Sequence, residues 1–170
     1  MKAFAAVLII LSCGSMGVIV AGSYAQRVHH LRELLRFLHL LESEIQFSRT
    51  TLPKFLAGQA PLFSGVVGRF LAVLRQGLEE GQGDSFQAIW EQGLALLADN
   101  GLPSAALEDL RACGAALGRS DAAEQCKHIQ RALFRLEQAL AAAEEERSRY
   151  QRLWQYLGFC TGLLLVLLLI

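Results

Sequence analysis

Two arrangements in the sequence are of the kind that enzymes use, and neither is complete. Asp121, Cys126 and His128 are the residue types of a nucleophilic triad, but Cys126 and His128 lie two apart on one predicted helix and diverge. Gly81 and Gly83 form a glycine pair, yet no lysine follows them and no GxxxxGK[ST] pattern occurs, so no phosphate-binding loop is predicted. The sequence therefore predicts that the protein is not an enzyme.

Histidines and carboxylates at helical spacing could belong to a metal site or to an acid–base pair. His29 with Glu33, and His39 with Glu42, have the spacing of one edge of a metal site, but no second edge supplies suitable ligands. Glu42 and Glu44 lie two residues apart and face different sides of a helix, which is unsuitable for carboxylates that share one site. We therefore predict no metal and no cofactor.

The charged residues are confined to the middle of the chain. Of 16 lysines and arginines and 16 aspartates and glutamates, only Lys2 lies outside residues 26–152, and the formal net charge is 0. This balance offers no broad basic field for a nucleic acid. Residues 3–25 and 153–170 are uncharged and mainly apolar, and each is close to the roughly 20 residues that a spanning helix needs.

These ends predict an integral membrane protein with two spans in the lipid bilayer. We expect a transmembrane helix with a short N-terminal tip at residues 1–25, an all-helical domain at 26–152 and a transmembrane helix at 153–170. Arginines follow the first span and precede the second, whereas only Lys2 and the amino terminus lie on the other side. Because cytoplasmic flanks collect basic residues, the central domain is predicted to be cytoplasmic.

An alternative for residues 1–25 is a signal peptide that is cleaved after Ala-Gly-Ser or Ser-Tyr-Ala. Cleavage there would place the domain on the exterior side, and the alternative function is then a membrane-tethered helical sensor or adaptor with an extracytoplasmic domain. The apolar run is nearer to a full span than to the ~7–15 residues of a signal-peptide core, and arginines follow it directly, so retention is favoured.

Apolar residues of the central domain recur every three or four residues, which is the spacing of amphipathic helices. The first such helix runs through Leu31 to Ile45 and is broken before Pro53, since the residue before a proline disfavours the helical conformation. A short helix and another over about residues 66–78 follow. The sequence 81–84 is the clearest loop.

Capping residues predict where the next two helices begin and end. Asp84 with Gln87 predicts the start of one helix, and Asn100-Gly101 predicts its end. Ser104 can cap the following helix. Its predicted inward-facing residues are Leu107, Leu110 and Leu117.

The last helix is predicted to be long. Ser120 or Asp121 can cap it, and from Ala122 to Ile170 there is no proline and no glycine before Gly158. Strand signals are nearly absent. We therefore predict an all-α fold, a compact helical bundle between an N-terminal and a C-terminal transmembrane helix, with the last helix continuous into the membrane. Its inward-facing residues are predicted to be Ile129, Leu133, Leu136, Leu140 and Ala143.

Small residues in the predicted spans suggest close helix packing. Gly158 and Gly162 form a GxxxG step, and Gly17 with Ala21 forms a similar small-xxx-small step. Such steps let helices pack against each other or against partners, although glycine is also common by chance in membrane helices.

Two stretches of the chain, residues 40–53 and 116–129, carry the most specific motifs. These are Leu41-Glu42, Glu44-Ile45, Thr51-Leu52-Pro53, Leu117-Gly118, Ser120-Asp121 and Gln125. With these motifs the sequence resembles the stage III sporulation protein AB family, and the resemblance extends over essentially the whole chain, although residues 70–100 match mainly in helical pattern and length.

The resemblance implies a component of the multiprotein channel that joins mother cell and forespore in endospore-forming bacteria. Its soluble domain would look like the helical cytoplasmic domain of type II secretion platform proteins. The implied partners are a secretion-type cytoplasmic ATPase, stage III sporulation protein AA, and other channel subunits, with self-association left open. The expected location is the mother-cell side of the outer forespore membrane, and no catalytic residues come with the family.

Exposed polar groups in the two matching stretches are the candidates for partner contact. Simpler structural roles remain open for several of them: Asp121 could cap the last helix, Gly118 could end the preceding one, and Glu44 could pair with Arg49. The candidate contact residues are Glu42, Glu44, Arg49, Arg119, Asp121 and Gln125.

Overall fold

Six α-helices and one short 3₁₀ helix form the described chain, and no strand occurs within it. The computed structural model describes the backbone of residues 2–48, 50–80, 85–117 and 121–169, and the side chains of residues 24–48, 50–80, 85–117, 121–150 and 153. The all-α prediction is thus confirmed for these residues. The helices are α1 (Lys2–Phe47), α2 (Leu52–Gln59), the 3₁₀ helix (Ala60–Leu62), α3 (Gly65–Glu80), α4 (Phe86–Asp99), α5 (Ser104–Leu117) and α6 (Ala122–Leu169).

The helix boundaries follow local chemistry, with one-residue corrections to two predicted starts. α4 begins after Ser85, whose hydroxyl oxygen accepts a hydrogen bond from the Ala88 N–H at 3.3 Å, so the cap is not Asp84, which lies outside the described residues. α5 begins at Ser104 itself, so Ser104 is not the residue before the helix. A hydroxyl and a carboxylate cap equally well, and sequence alone could not choose between neighbours.

The predicted end of α4 is confirmed. Gly101 has a φ of +84°, a left-handed conformation that glycine adopts without steric cost. Its N–H donates to the Ala98 carbonyl at 3.0 Å, and the Leu102 N–H donates to the Leu97 carbonyl at 3.2 Å. This pair of bonds is the Schellman arrangement, and it satisfies carbonyls that the helix end would otherwise leave without partners.

The Cα positions divide the chain into two compact units, one formed by Met1–Val28 with Ala141–Ile170 and the other by His29–Leu140. In the second unit, the predicted stripes of α1 and α6 are buried, except that Ile45 and Leu140 are only half-buried. The buried residues of these stripes are Leu31, Leu34, Leu35, Leu38, Leu41, Ile129, Leu133 and Leu136.

Aromatic rings fill the space between α1, α3 and α4. Phe37 is 0% exposed and lies with its ring centroid 6.1 Å from that of Phe70 and 6.2 Å from that of Phe55. Phe70 in turn meets Trp90 edge-on at 5.3 Å. Edge-to-face contacts of this kind add to the stabilisation that burial of the rings provides.

α5 packs against the same cluster through small residues. Gly114 faces the indole of Trp90, and a Cβ added there would lie 2.5 Å from the ring Cγ. The indole N–H of Trp90 donates to the Leu110 carbonyl at 2.8 Å. The predicted inward face of α5 is therefore partly wrong: Leu110 is buried, but Leu107 and Leu117 are only half-buried, because close packing against the indole favours small side chains. The other buried residues of α5 are Ala106, Cys113, Gly114 and Ala116.

In the first unit, α1 and α6 lie side by side and run in opposite directions. Tyr24 stacks on Tyr150 with 4.6 Å between the ring centroids. One turn along, a guanidinium nitrogen of Arg27 lies 3.4 Å from a carboxylate oxygen of Glu146. These contacts pair the two helices beside the predicted membrane segments.

Among the described residues, no helix has a stretch long and apolar enough to cross a membrane. Apart from Tyr24, Ala25 and Leu153, the side chains of the two predicted spans lie outside the described residues. The two-span prediction is therefore not tested by the structure and stays a prediction.

Candidate functional site

A cleft with a volume of about 150 Å³ lies where the end of α1, the beginning of α2, the end of α5 and the first turn of α6 meet. Its walls are mainly apolar, and its polar groups come from three separate segments of the chain. The apolar lining residues are Leu41, Ile45, Leu52, Phe55 and Leu117. The polar lining residues are Glu44, Thr50 and Gln125.

The break between α1 and α2 creates the first two walls. α1 ends at Phe47, and Thr51 adopts an extended conformation (φ −69°, ψ 143°) before α2 starts. Pro53 lies in the first turn of α2, where its missing N–H removes no helical hydrogen bond. The turn brings Phe55 of α2 beside Leu41 of α1, and both are buried.

The end of α5 and the first turn of α6 form the remaining wall. Gln125 lies in the first turn of α6, and its side-chain amide donates to the Leu117 carbonyl at 3.4 Å, so it satisfies the last residue of α5. Asp121 caps α6, because its carboxylate accepts a hydrogen bond from the Glu124 N–H at 3.3 Å. Asp121, one of the two predicted caps, is thus confirmed as a cap of α6. The other, Ser120, lies outside the described residues.

Glu42 and Glu44 point to different surroundings, as their spacing predicts. The Glu42 carboxylate accepts a hydrogen bond from the Gln130 side chain at 2.8 Å, and this bond joins α1 to α6. It accepts a second one, within α1, from the Gln46 side chain at 3.5 Å. Glu42 does not line the cleft, whereas the half-buried Glu44 does. Among the described residues, no side chain donates to the Glu44 carboxylate.

The structure thus brings two of the candidate contact residues, Glu44 and Gln125, into one cleft. Glu42 and Asp121 have the structural hydrogen bonds just described. Arg49 and Arg119 lie outside the described residues, so the suggested pairing of Glu44 with Arg49 is not tested. The candidate membrane-packing residues Gly17, Ala21, Gly158 and Gly162 also lie outside the residues whose side chains are described.

Choosing contact residues by polarity missed the apolar part of the site. The cleft walls include Leu41, Ile45, Leu52 and Leu117, which belong to the stretches that carry the family resemblance. Phe47, three residues after Glu44, is 82% exposed at the end of α1. Phe47 is a large aromatic residue that does not belong to the buried stripe of α1. This is the sequence signal that could have identified Phe47 as part of an apolar contact surface.

Two residues of the candidate triad have different surroundings in the described structure. Cys126 is buried, whereas Asp121 is an exposed helix cap. Burial raises the pKa of the Cys113 thiol from 9.0 to about 12, which disfavours the thiolate that acts as a nucleophile. No group of three or more metal-ligating side chains occurs within the described residues.

Three comparisons with known proteins agree with one another. A family model described as stage III sporulation protein AB matches residues 2–170. Stage III sporulation protein AB of Bacillus subtilis (strain 168) is 33% identical over 170 residues, which cover 99% of each chain. A solved structure of stage III sporulation protein AB has a TM-score of 0.65 and 31% identity, and the match covers 73% of this chain and 98% of that chain. The chain belongs to the stage III sporulation protein AB family and has a role in sporulation.

Proposed function

We propose that the protein is a non-enzymatic platform component of a secretion-like channel between mother cell and forespore. It binds a secretion-type cytoplasmic ATPase, stage III sporulation protein AA, and other channel subunits. It is an integral protein of the mother-cell side of the outer forespore membrane, with two spans and a cytoplasmic central domain.

The observation that carries this proposal is the cleft between α1, α2, α5 and α6. Its lining comes from both stretches that carry the family resemblance, although these stretches are far apart in the sequence. Stability of the fold does not require an open apolar cleft, because burying Ile45 and Leu117 fully would stabilise the domain further. A binding role accounts for side chains that the fold leaves half-exposed.

A platform protein also needs rigid attachment to the membrane. The uncharged segments 3–25 and 153–170 supply the proposed spans. The stacking of Tyr24 on Tyr150 and the ion pair between Arg27 and Glu146 join α1 to α6 next to these segments. These contacts support an attachment in which the two spans are held as a pair.

Affinity capture from crosslinked membranes of sporulating cells tests the partner. We expect the intact protein to recover the secretion-type ATPase, and Glu44→Lys or Arg119→Glu to abolish recovery while the thermal unfolding midpoint stays unchanged. Glu108→Lys is the matched control, because Glu108 is an exposed acidic residue of α5 that does not line the cleft. Reproducible absence of the ATPase with the unaltered protein would refute the proposed partner.

A reporter fusion tests the topology independently. A reporter inserted near Gly83, in the loop that the sequence predicts at residues 81–84, should be active only if it is a reporter that functions in the cytoplasm. Activity of an exterior-dependent reporter at the same position would instead support the sensor or adaptor alternative, since that function needs the domain outside.

A further inference from the structure

The chemistry of the cleft defines what kind of group it can bind. Five of its eight lining residues are apolar, and its volume is about 150 Å³. An apolar cavity of about this volume, lined by leucine, isoleucine and phenylalanine, is large enough for a benzene ring. The cleft therefore has room for one large apolar side chain, either a phenyl ring or a branched aliphatic chain, but not for a folded element.

The charge at the cleft indicates which kind of residue should accompany the inserted apolar side chain on the partner. Glu44 is the charged residue among the described residues that line the cleft, and it is half-buried. No described residue donates a hydrogen bond to its carboxylate. A carboxylate at the edge of an apolar pocket attracts a cation and repels an anion, and partial burial strengthens both effects relative to open solvent.

The exposed ring of Phe47 extends the apolar surface beyond the cleft. Phe47 lies three residues after Glu44 on α1, so the two side chains are neighbours on the helix surface. Its 82% exposure leaves most of the ring available for contact. Aromatic residues of this kind are enriched at protein interfaces, where they contribute a large buried area.

We propose that the cleft binds an apolar side chain that is accompanied by a lysine or arginine on the same segment of a partner protein. The apolar group enters between Leu41, Leu52 and Leu117, and the cation pairs with Glu44. Phe47 covers the outer side of the inserted segment. This inference rests on the proposed binding function of the cleft, and it adds the chemical class of the ligand.

Small probes that carry only these two features test the inference without any partner protein. Phenethylamine, phenethyl alcohol and hydrocinnamate place the same ring two methylenes from a cation, a neutral group and an anion. The full-length protein, in detergent micelles and carrying ¹³C-labelled isoleucine methyl groups, is titrated with each probe. Ile45 lines the cleft and is the reporter, whereas Ile89 and Ile129 are buried in the core and serve as internal controls.

We expect the Ile45 methyl signal to shift saturably, with the amine binding about threefold more tightly than the alcohol and the carboxylate binding most weakly, as partly exposed charge pairs allow. Glu44→Gln should remove the preference for the amine without loss of folding. Glu42→Gln is the matched control and should retain the preference, because Glu42 lies outside the cleft.

The inference would be overturned by the absence of a saturable Ile45 shift, by equal affinity for the three probes, or by a preference for the amine that survives in Glu44→Gln. A shift of Ile45 that depends on protein concentration without any probe would assign the cleft to a second copy of this chain and would also overturn it. Recovery of the ATPase by affinity capture together with probe failure would reject only the ligand chemistry, and probe binding without recovery would reject only the proposed partner.

Discussion

Replacement of Gly114 by alanine is expected to destabilise the helical domain, although alanine is the better helix former. The new Cβ would lie 2.5 Å from Cγ and 2.6 Å from Nε1 of Trp90, well inside van der Waals contact. Trp90 is 1% exposed, and the Phe70 ring centroid is 5.3 Å away from its own, so the indole has little room to move. The clash therefore has to be relieved by displacing α5 or the ring.

The size of the effect follows from three contributions. Overpacking of a core costs about 1–3 kcal/mol, and weakening the 2.8 Å hydrogen bond from the Trp90 indole to the Leu110 carbonyl costs about 1 kcal/mol more. The better helix propensity of alanine returns about 1 kcal/mol. We expect a net loss of about 2 kcal/mol in the free energy of unfolding.

Urea unfolding followed by tryptophan fluorescence measures this loss. With a urea dependence of about 2 kcal/mol per molar, the midpoint should fall by about 1 M. Gly58→Ala is the matched control, because Gly58 is a helical glycine of α2 whose added Cβ would meet nothing within 4 Å, and it should leave the midpoint unchanged or raise it slightly.

A double-mutant cycle separates the clash from other effects. The added Cβ would meet Cγ, Cδ1 and Nε1 of the indole, all of which alanine lacks, so Gly114→Ala should cost less than half as much in a Trp90→Ala background, with unfolding followed by circular dichroism. Unchanged or increased stability of Gly114→Ala, with Gly58→Ala behaving as expected, would refute the packing argument.

Three further predictions concern a cap, an ion pair and a thiol. Asp121→Ala should lower the free energy of unfolding by about 1 kcal/mol, because α6 loses its N-cap, whereas Asp121→Ser should retain most of it; urea unfolding distinguishes the two. Arg111→Ala should cost less than about 1 kcal/mol in the same assay, because the 2.8 Å ion pair with Glu91 is largely exposed; a larger loss would show that the pair does more than the geometry indicates. Because burial raises the pKa of Cys113 to about 12 from 9.0, its neutral thiol stabilises the fold below pH 9, and that stabilisation is lost as the pH rises from 9 towards 12; unfolding midpoints over this range should fall more for the unaltered protein than for Cys113→Ala.

Local patterns in the sequence are sufficient to predict the helical fold and most helix ends. The three- and four-residue spacing from Leu31 to Leu41 is enough to predict a buried stripe, because the period of a helix places those residues on one face whatever they pack against. Pro53 and Gly101 mark helix boundaries for equally local reasons, since they restrict or permit backbone conformations without reference to the rest of the chain.

The way the helices pack against one another cannot be predicted from these local patterns. The inward face of α5 depends on the indole of Trp90, which comes from another helix, and close approach there favours small residues over the leucines that the local pattern selects. The cleft likewise brings together Glu44 and Gln125, which are 81 residues apart in the sequence. Local rules could place each residue on its own helix, but they contain no information about which helix faces adjoin, because that is set by how the whole core packs.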